Sequence, residues 1–167
     1  DFKIEMPNVD SVRFKVTMDK ESETEKPRLK RVSTVLEEVK GTLEIDRPDN
    51  KSGLEMLKEY PIFTSHENSR AYYQRKTIQS GKYKRENFYF ELDPFVFDSL
   101  DNFGNDRIKF KGSFTSADIF PEFREELTLQ EDYSLGFIRE TPSEGFDVYS
   151  GKGKFYSTIK LSHQGLR

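Results

Sequence analysis

The sequence predicts an all-β domain, mainly antiparallel and β-sandwich-like with one short helix; an elongated β-solenoid or β-groove is the alternative arrangement of the same strands. Three observations predict it. Apolar side chains recur at every second position in stretch after stretch, which places one face of each strand in a core and the other in water. Aromatic residues make up 14% of the chain, an excess that suits pleated surfaces better than helical stripes. Turn-forming residues such as Ser80-Gly81, Gly104-Asn105, Thr141-Pro142 and Ser150-Gly151 separate the alternating stretches.

Taken in order, Phe2, Ile4 and Met6 alternate with Lys3 and Glu5, and Val12, Phe14, Val16 and Met18 alternate with polar residues. These read as two strands joined by a turn at Pro7-Asn8. Residues 19–28 contain no apolar side chain, cannot offset the entropy of ordering, and are expected to form a mobile loop. The stretch 29–38 fits either a helical stripe or a strand and is read as strand. Val39, Gly41, Leu43 and Ile45 then alternate cleanly up to Pro48. Ser52 with Glu55 resembles a capping box, so 53–59 is predicted as the one helix, stopped ahead of Pro61. Strands are expected at 62–65, 70–75, 82–84 and 86–92, with Pro94 ending the last. Further alternation marks Ile108 to Phe114, Leu127 and Leu129, Leu135 and Phe137, and a single stretch from Phe155 to Leu161. Lys-Gly opens three of these stretches, at Lys40-Gly41, Lys111-Gly112 and Lys152-Gly153. A bulge or a close approach of another backbone explains such glycines.

Composition narrows the functional classes. With 167 residues the chain is read as a single β-rich domain, 1–167, excised from a larger protein. Its formal net charge of −3 gives neither sign the dominance seen on nucleic-acid-binding surfaces, so no nucleic-acid partner is expected. Apolar runs fall far short of the roughly 20 residues that a membrane-spanning helix needs. The absence of cysteine removes thiol nucleophiles, thiolate zinc sites and disulfides.

No catalytic residues, metal ligands or cofactor are assigned, and the chain is read as a non-enzyme. His66 and His163 stand apart from any acid or serine at a useful spacing and read as exposed loop residues. Glu125 with Glu126, or Asp93 with Asp98, supply carboxylates but no shielded environment to raise one of their pKa values. The acidic stretch 98–106 lacks the ordered spacing of a calcium loop and reads as a turn. Asn50-Lys51-Ser52 fits a glycosylation tripeptide too loosely to use. Tyr72, Tyr73, Tyr83 and Tyr89 crowd one third of the chain and are the candidate ligand-binding residues, since exposed rings on a sheet can stack on a sugar or clasp a protein.

The stretch from Tyr83 to Phe95, with Phe88-Tyr89-Phe90-Glu91-Leu92-Asp93-Pro94, then Asp98-Ser99-Leu100-Asp101-Asn102-Phe103, resembles segments of large uncharacterised cell-envelope proteins of the Bacteroidetes type. The tail Gly151-Lys152-Gly153-Lys154-Phe155 with Leu161-Ser162 and Gly165-Leu166-Arg167 is similar to them too. The resemblance covers about half of the chain and implies a location at the cell envelope, periplasm or cell surface, with a protein or glycan partner there. It also implies O-glycosylation at Ser11 and Ser99, within Asp10-Ser11-Val12 and Asp98-Ser99-Leu100. The function expected is a non-enzymatic structural or interaction module of a large exported bacterial protein. The alternatives are a carbohydrate-binding module and a segment of a lipid-conducting β-groove.

Overall fold

A computed structural model describes residues 3–12, 15–17, 29–45, 60–100 and 105–167. The expected loop at 19–28, the helix at 53–59 and the tripeptide at 50–52 lie outside the described residues. The strands run β1 (Lys3–Val12), β2 (Lys15–Thr17), β3 (Leu29–Arg31), β4 (Leu36–Glu44), β5 (Ile62–Ser65), β6 (Ser69–Tyr72), β7 (Phe88–Leu92) and β8 (Val96–Phe97). They continue with β9 (Lys109–Ser116), β10 (Phe123–Leu129), β11 (Leu135–Arg139), β12 (Phe146–Val148), β13 (Gly153–Phe155), β14 (Ile159–Ser162) and β15 (Gly165–Leu166). Every pairing among them is antiparallel, so the all-β reading stands and the coils of a solenoid do not form.

Alternation became burial where it was strongest. In β9, Phe110, Gly112, Phe114 and Ser116 are buried while Lys109 and Lys111 are exposed, and in β7 Phe88, Phe90 and Leu92 are buried. Several boundaries differ from the sequence reading, and the strand expected at 70–75 ends at Tyr72. Pro7-Asn8 is no turn: β1 runs through it, with Met6 opposite Gly41 and Val9 opposite Val39, so the first strand carries one extra residue as a bulge. Proline has no N–H for the ladder, and a bulge absorbs that loss without ending the strand. The segment 82–84 is not a strand, because Gln79, Ser80 and Gly81 adopt φ of 47°, 57° and 74° and turn the chain through a 3₁₀ segment. The stretch 29–45 divides into β3 and β4, and the stretch 155–161 divides into β13 and β14.

Eleven strands form one sheet in the order β15-β14-β11-β10-β9-β7-β6-β4-β5-β8, with β1 on β4. The sheet forks at β4, whose Leu36 and Glu37 pair with β6 while Gly41 to Glu44 pair with β5. Glu38, between the two, has a φ of 63°. From β9 to β8 the path crosses five strand spacings, roughly 24 Å if the sheet were flat. Yet the Phe97 and Phe110 ring centroids are 5.1 Å apart, so the β5–β8 limb folds over the β9 face. A second fold brings β4 to β11, also five spacings away, where Ser33 N donates to Tyr133 O at 2.8 Å. The inner faces therefore meet as they do in a sandwich, but both belong to one curled sheet.

Phenylalanine fills the interior. Phe114 meets Phe88, Phe123 and Phe137 edge to face, with centroids 5.3, 5.6 and 5.1 Å away. The β12–β13 hairpin covers one end through Phe146 and Phe155, which pack on Phe120. Two of the Lys-Gly glycines allow the same local packing: a Cβ on Gly41 would sit 2.7 Å from the Phe63 ring, and one on Gly112 2.6 Å from the Phe90 ring. In each case the phenylalanine is two residues before the glycine's cross-strand partner and lies diagonally over the bare backbone.

Candidate functional site

The four nominated tyrosines do not form one site. Tyr72 and Tyr89 are cross-strand partners on the outer face, with centroids 6.3 Å apart. Neither ring is bare. The Arg85 guanidinium lies 3.8 Å over Tyr72 while hydrogen-bonding both Glu37 carboxylate oxygens, and the Arg70 guanidinium lies 4.0 Å over Tyr89. Tyr72 is only 9% exposed and donates its hydroxyl proton to Glu38 at 3.1 Å; burial, with the Glu38 charge beside it, holds this phenol above its ordinary pKa.

These residues belong to a wider pattern. Glu37, Arg70, Glu91, Ser113 and Arg124 stand opposite one another across β4, β6, β7, β9 and β10. Arg70 reaches Glu91 at 3.7 Å, and Arg124 grips Asp93 through both carboxylate oxygens. The hydrogen bond from Arg124 holds the Asp93 carboxyl below the usual range. The outer face is thus a lattice of paired charges, with its two tyrosines stacked beneath arginines.

Tyr73 and Tyr83 serve the fold. Tyr73 is fully buried, its hydroxyl donates to Leu135 O at 2.9 Å, and burial pushes the phenol pKa far up so that it stays a donor. Tyr83 stacks on Phe88 at 4.0 Å, and its oxygen accepts the Leu166 N–H at 3.1 Å. With Gln79 Nε2 donating to Gln164 O at 2.8 Å, this covers the edge of β15 with the β6–β7 connection. Edge strands need such cover.

The remaining sequence candidates are placed as follows. Ser11 lies in β1 opposite Glu37, where only the backbone is described. Ser99 is half-buried with a φ of 48°, between Leu100, packed on the core, and Asp98, held by Arg107 at 2.8 Å. Glu125 pairs with Arg139 at 3.0 Å. Three of the four carboxylates weighed as acid–base pairs are therefore bound to arginines. Among the described residues no three His, Asp or Glu gather as metal ligands.

His66 is exposed as expected, with Nε2 2.6 Å from Thr42 Oγ1. His163 is not an exposed loop residue: its half-buried ring packs edge-on to Tyr73 and its Nε2 lies 2.9 Å from Thr34 Oγ1. Sequence reading missed it because its partners are 90 and 129 positions away.

Rings that solvent does reach lie elsewhere. Tyr149, in the β12–β13 turn, and Tyr156, just after β13, are 59% and 66% exposed; the local signals for this hairpin were the Ser150-Gly151 turn and the Lys152-Gly153 opening. An open groove of about 440 Å³ runs between Asp106–Lys109 and Thr128–Tyr133. Compared with known proteins, the chain matches no family model, no curated protein and no solved structure.

Proposed function

We propose that this chain is a non-enzymatic structural or interaction module of a large exported bacterial protein, acting at the cell envelope. The supporting observation is how the two faces of its sheet are used. The inner face is filled with interlocking phenylalanine rings and the outer face is covered by arginine–carboxylate pairs, so both serve rigidity. Contacts with a protein partner then fall to the hairpin bearing Tyr149 and Tyr156.

Two other readings draw less from the geometry. A carbohydrate platform built on Tyr72, Tyr83 or Tyr89 would need ring faces that Arg85, Phe88 and Arg70 occupy. A lipid-conducting groove needs an open apolar face, and here Phe95 and Phe97 close over Phe110.

The test is made in the source bacterium with the parent protein tagged next to this segment. Labelling of intact cells by a membrane-impermeant reagent is expected to reach the segment at the surface, or after outer-membrane permeabilisation if it is periplasmic. Retention in the cytoplasmic fraction overturns the location. Micromolar binding on a glycan array, lost in Y72A or Y89A, would replace the structural reading with the carbohydrate one.

A further inference from the structure

Segments far apart in the chain meet at the ring of His163. Residues 32–34, just before β4, lie against the β10–β11 turn: Ser33 N donates to Tyr133 O, and Leu135 N donates to Thr34 Oγ1, both at 2.8 Å. His163, in the β14–β15 turn, completes the junction through Nε2 on Thr34 Oγ1 at 2.9 Å and through its own N–H on Ser134 Oγ at 3.1 Å. Ser134 in turn donates its hydroxyl to Asp132. Thr34, Ser134 and Tyr73 are all essentially inaccessible to water.

This hydrogen-bond pattern favours one protonation state. Thr34 Oγ1 accepts from Leu135 N–H, and among the described residues Nε2 is the acceptor within reach of the threonine's own proton. That acceptor exists only on a neutral ring protonated at Nδ1. On a doubly protonated ring Nε2–H would donate to the second lone pair of Thr34 Oγ1, and the Thr34 proton would lose its partner at a site that is 1% exposed.

We propose that this junction is a proton-operated latch, in which protonation of His163 releases residues 32–34 from β11 and opens the seam of the curled sheet. Among the described residues, few groups act on the ring. Arg75, from the segment after β6, disfavours a charged ring; Asp132, from the β10–β11 turn, favours one; and Tyr73 presents a neutral phenol. Burial outweighs Asp132 and, with Arg75, lowers His163 from the ordinary 6.5 to about 4. The closed seam therefore holds the neutral ring. Its advantage is complete above pH 6.5 and is lost progressively as the pH falls toward about 4.

Native-state amide exchange on the full chain tests the latch, with intrinsic rates corrected for pH. The opening constants at Ser33 and Leu135 are expected to rise by up to about 30-fold between pH 7.5 and pH 5, the ratio set by ring pKa values of 6.5 open and about 4 closed. Amides in β9 serve as the reference and rise less. In H163Q the amide oxygen can accept from Thr34 without titrating, so the rise disappears. Equal opening at both pH values overturns the proposal, as does a full rise in H163Q. If H163Q does not fold, ring NMR of the H66A variant decides, since His163 is then the one histidine left. A midpoint near 4 supports the latch, and a midpoint above 6 overturns it.

Discussion

Leu135 has both backbone groups bonded to distant side chains, its N–H by Thr34 and its carbonyl by Tyr73. Removing one partner of a buried pair costs more than the bond itself is worth, because the other partner is left unsatisfied. Y73F is therefore expected to lose about 1–2 kcal/mol of stability in chemical denaturation, while Y89F, on the outer face, stays within about 0.5 kcal/mol. Glycines divide in a similar way. A methyl at Gly112 would run into the Glu91 carbonyl oxygen and into the Phe90 ring, and G112A is expected to cost about 1–3 kcal/mol or more. Gly151 has open space around it but a φ of 86°, so G151A carries only the backbone strain, about 1–2 kcal/mol. Sequence pattern marked Gly112 as a site of close approach but could not say which ring covers it, since Phe90 lies on another strand.

Strands that pair on both edges carry the ion-pair lattice of the outer face. Its members are from about one third to more than half exposed, so solvent and salt weaken each pair. A double-mutant cycle on Arg70 and Glu91 is expected to give a coupling below about 1 kcal/mol that falls further in high salt. A coupling of several kcal/mol would mean that the pair is far better shielded than its exposure indicates. The lattice thus contributes order more than stability: it fixes side chains over Tyr72 and Tyr89 and keeps a broad sheet face free of apolar patches. Element identity was legible for β5, β7, β9 and β11, and in β7 and β9 alternation coincides with burial of one face. It failed at 82–84 and at Pro7-Asn8, where left-handed residues in one case and a bulge in the other overrode the local pattern.

The curled sheet encloses one core of rings drawn from strands spread over the whole chain, so its loss is expected to be cooperative. F114A, which removes the ring that touches Phe88, Phe123 and Phe137, should cost about 3–5 kcal/mol in denaturant melts. Stability should be flat above pH 6.5 and fall toward about 4 as His163 takes up a proton that its folded site resists. A further loss is expected below pH 3.8, where Asp93 and Asp132, both held below that ordinary value in the folded state, protonate. H163Q should remove the first stage and leave the second, and a single acid transition shared by both proteins would refute this assignment. The amino-acid sequence by itself determined the strand class, because a period of two is a local property of side chains and pleat. It also determined the dominance of phenylalanine in the core. Only the tertiary structure decided that the tyrosines divide between an arginine-covered outer face and a buried seam, and that His163 closes that seam. The buried contacts join residues 60 to 130 positions apart, and the arginines reach the outer tyrosines across strand pairings; both form only when the strands assemble and no local spacing encodes them.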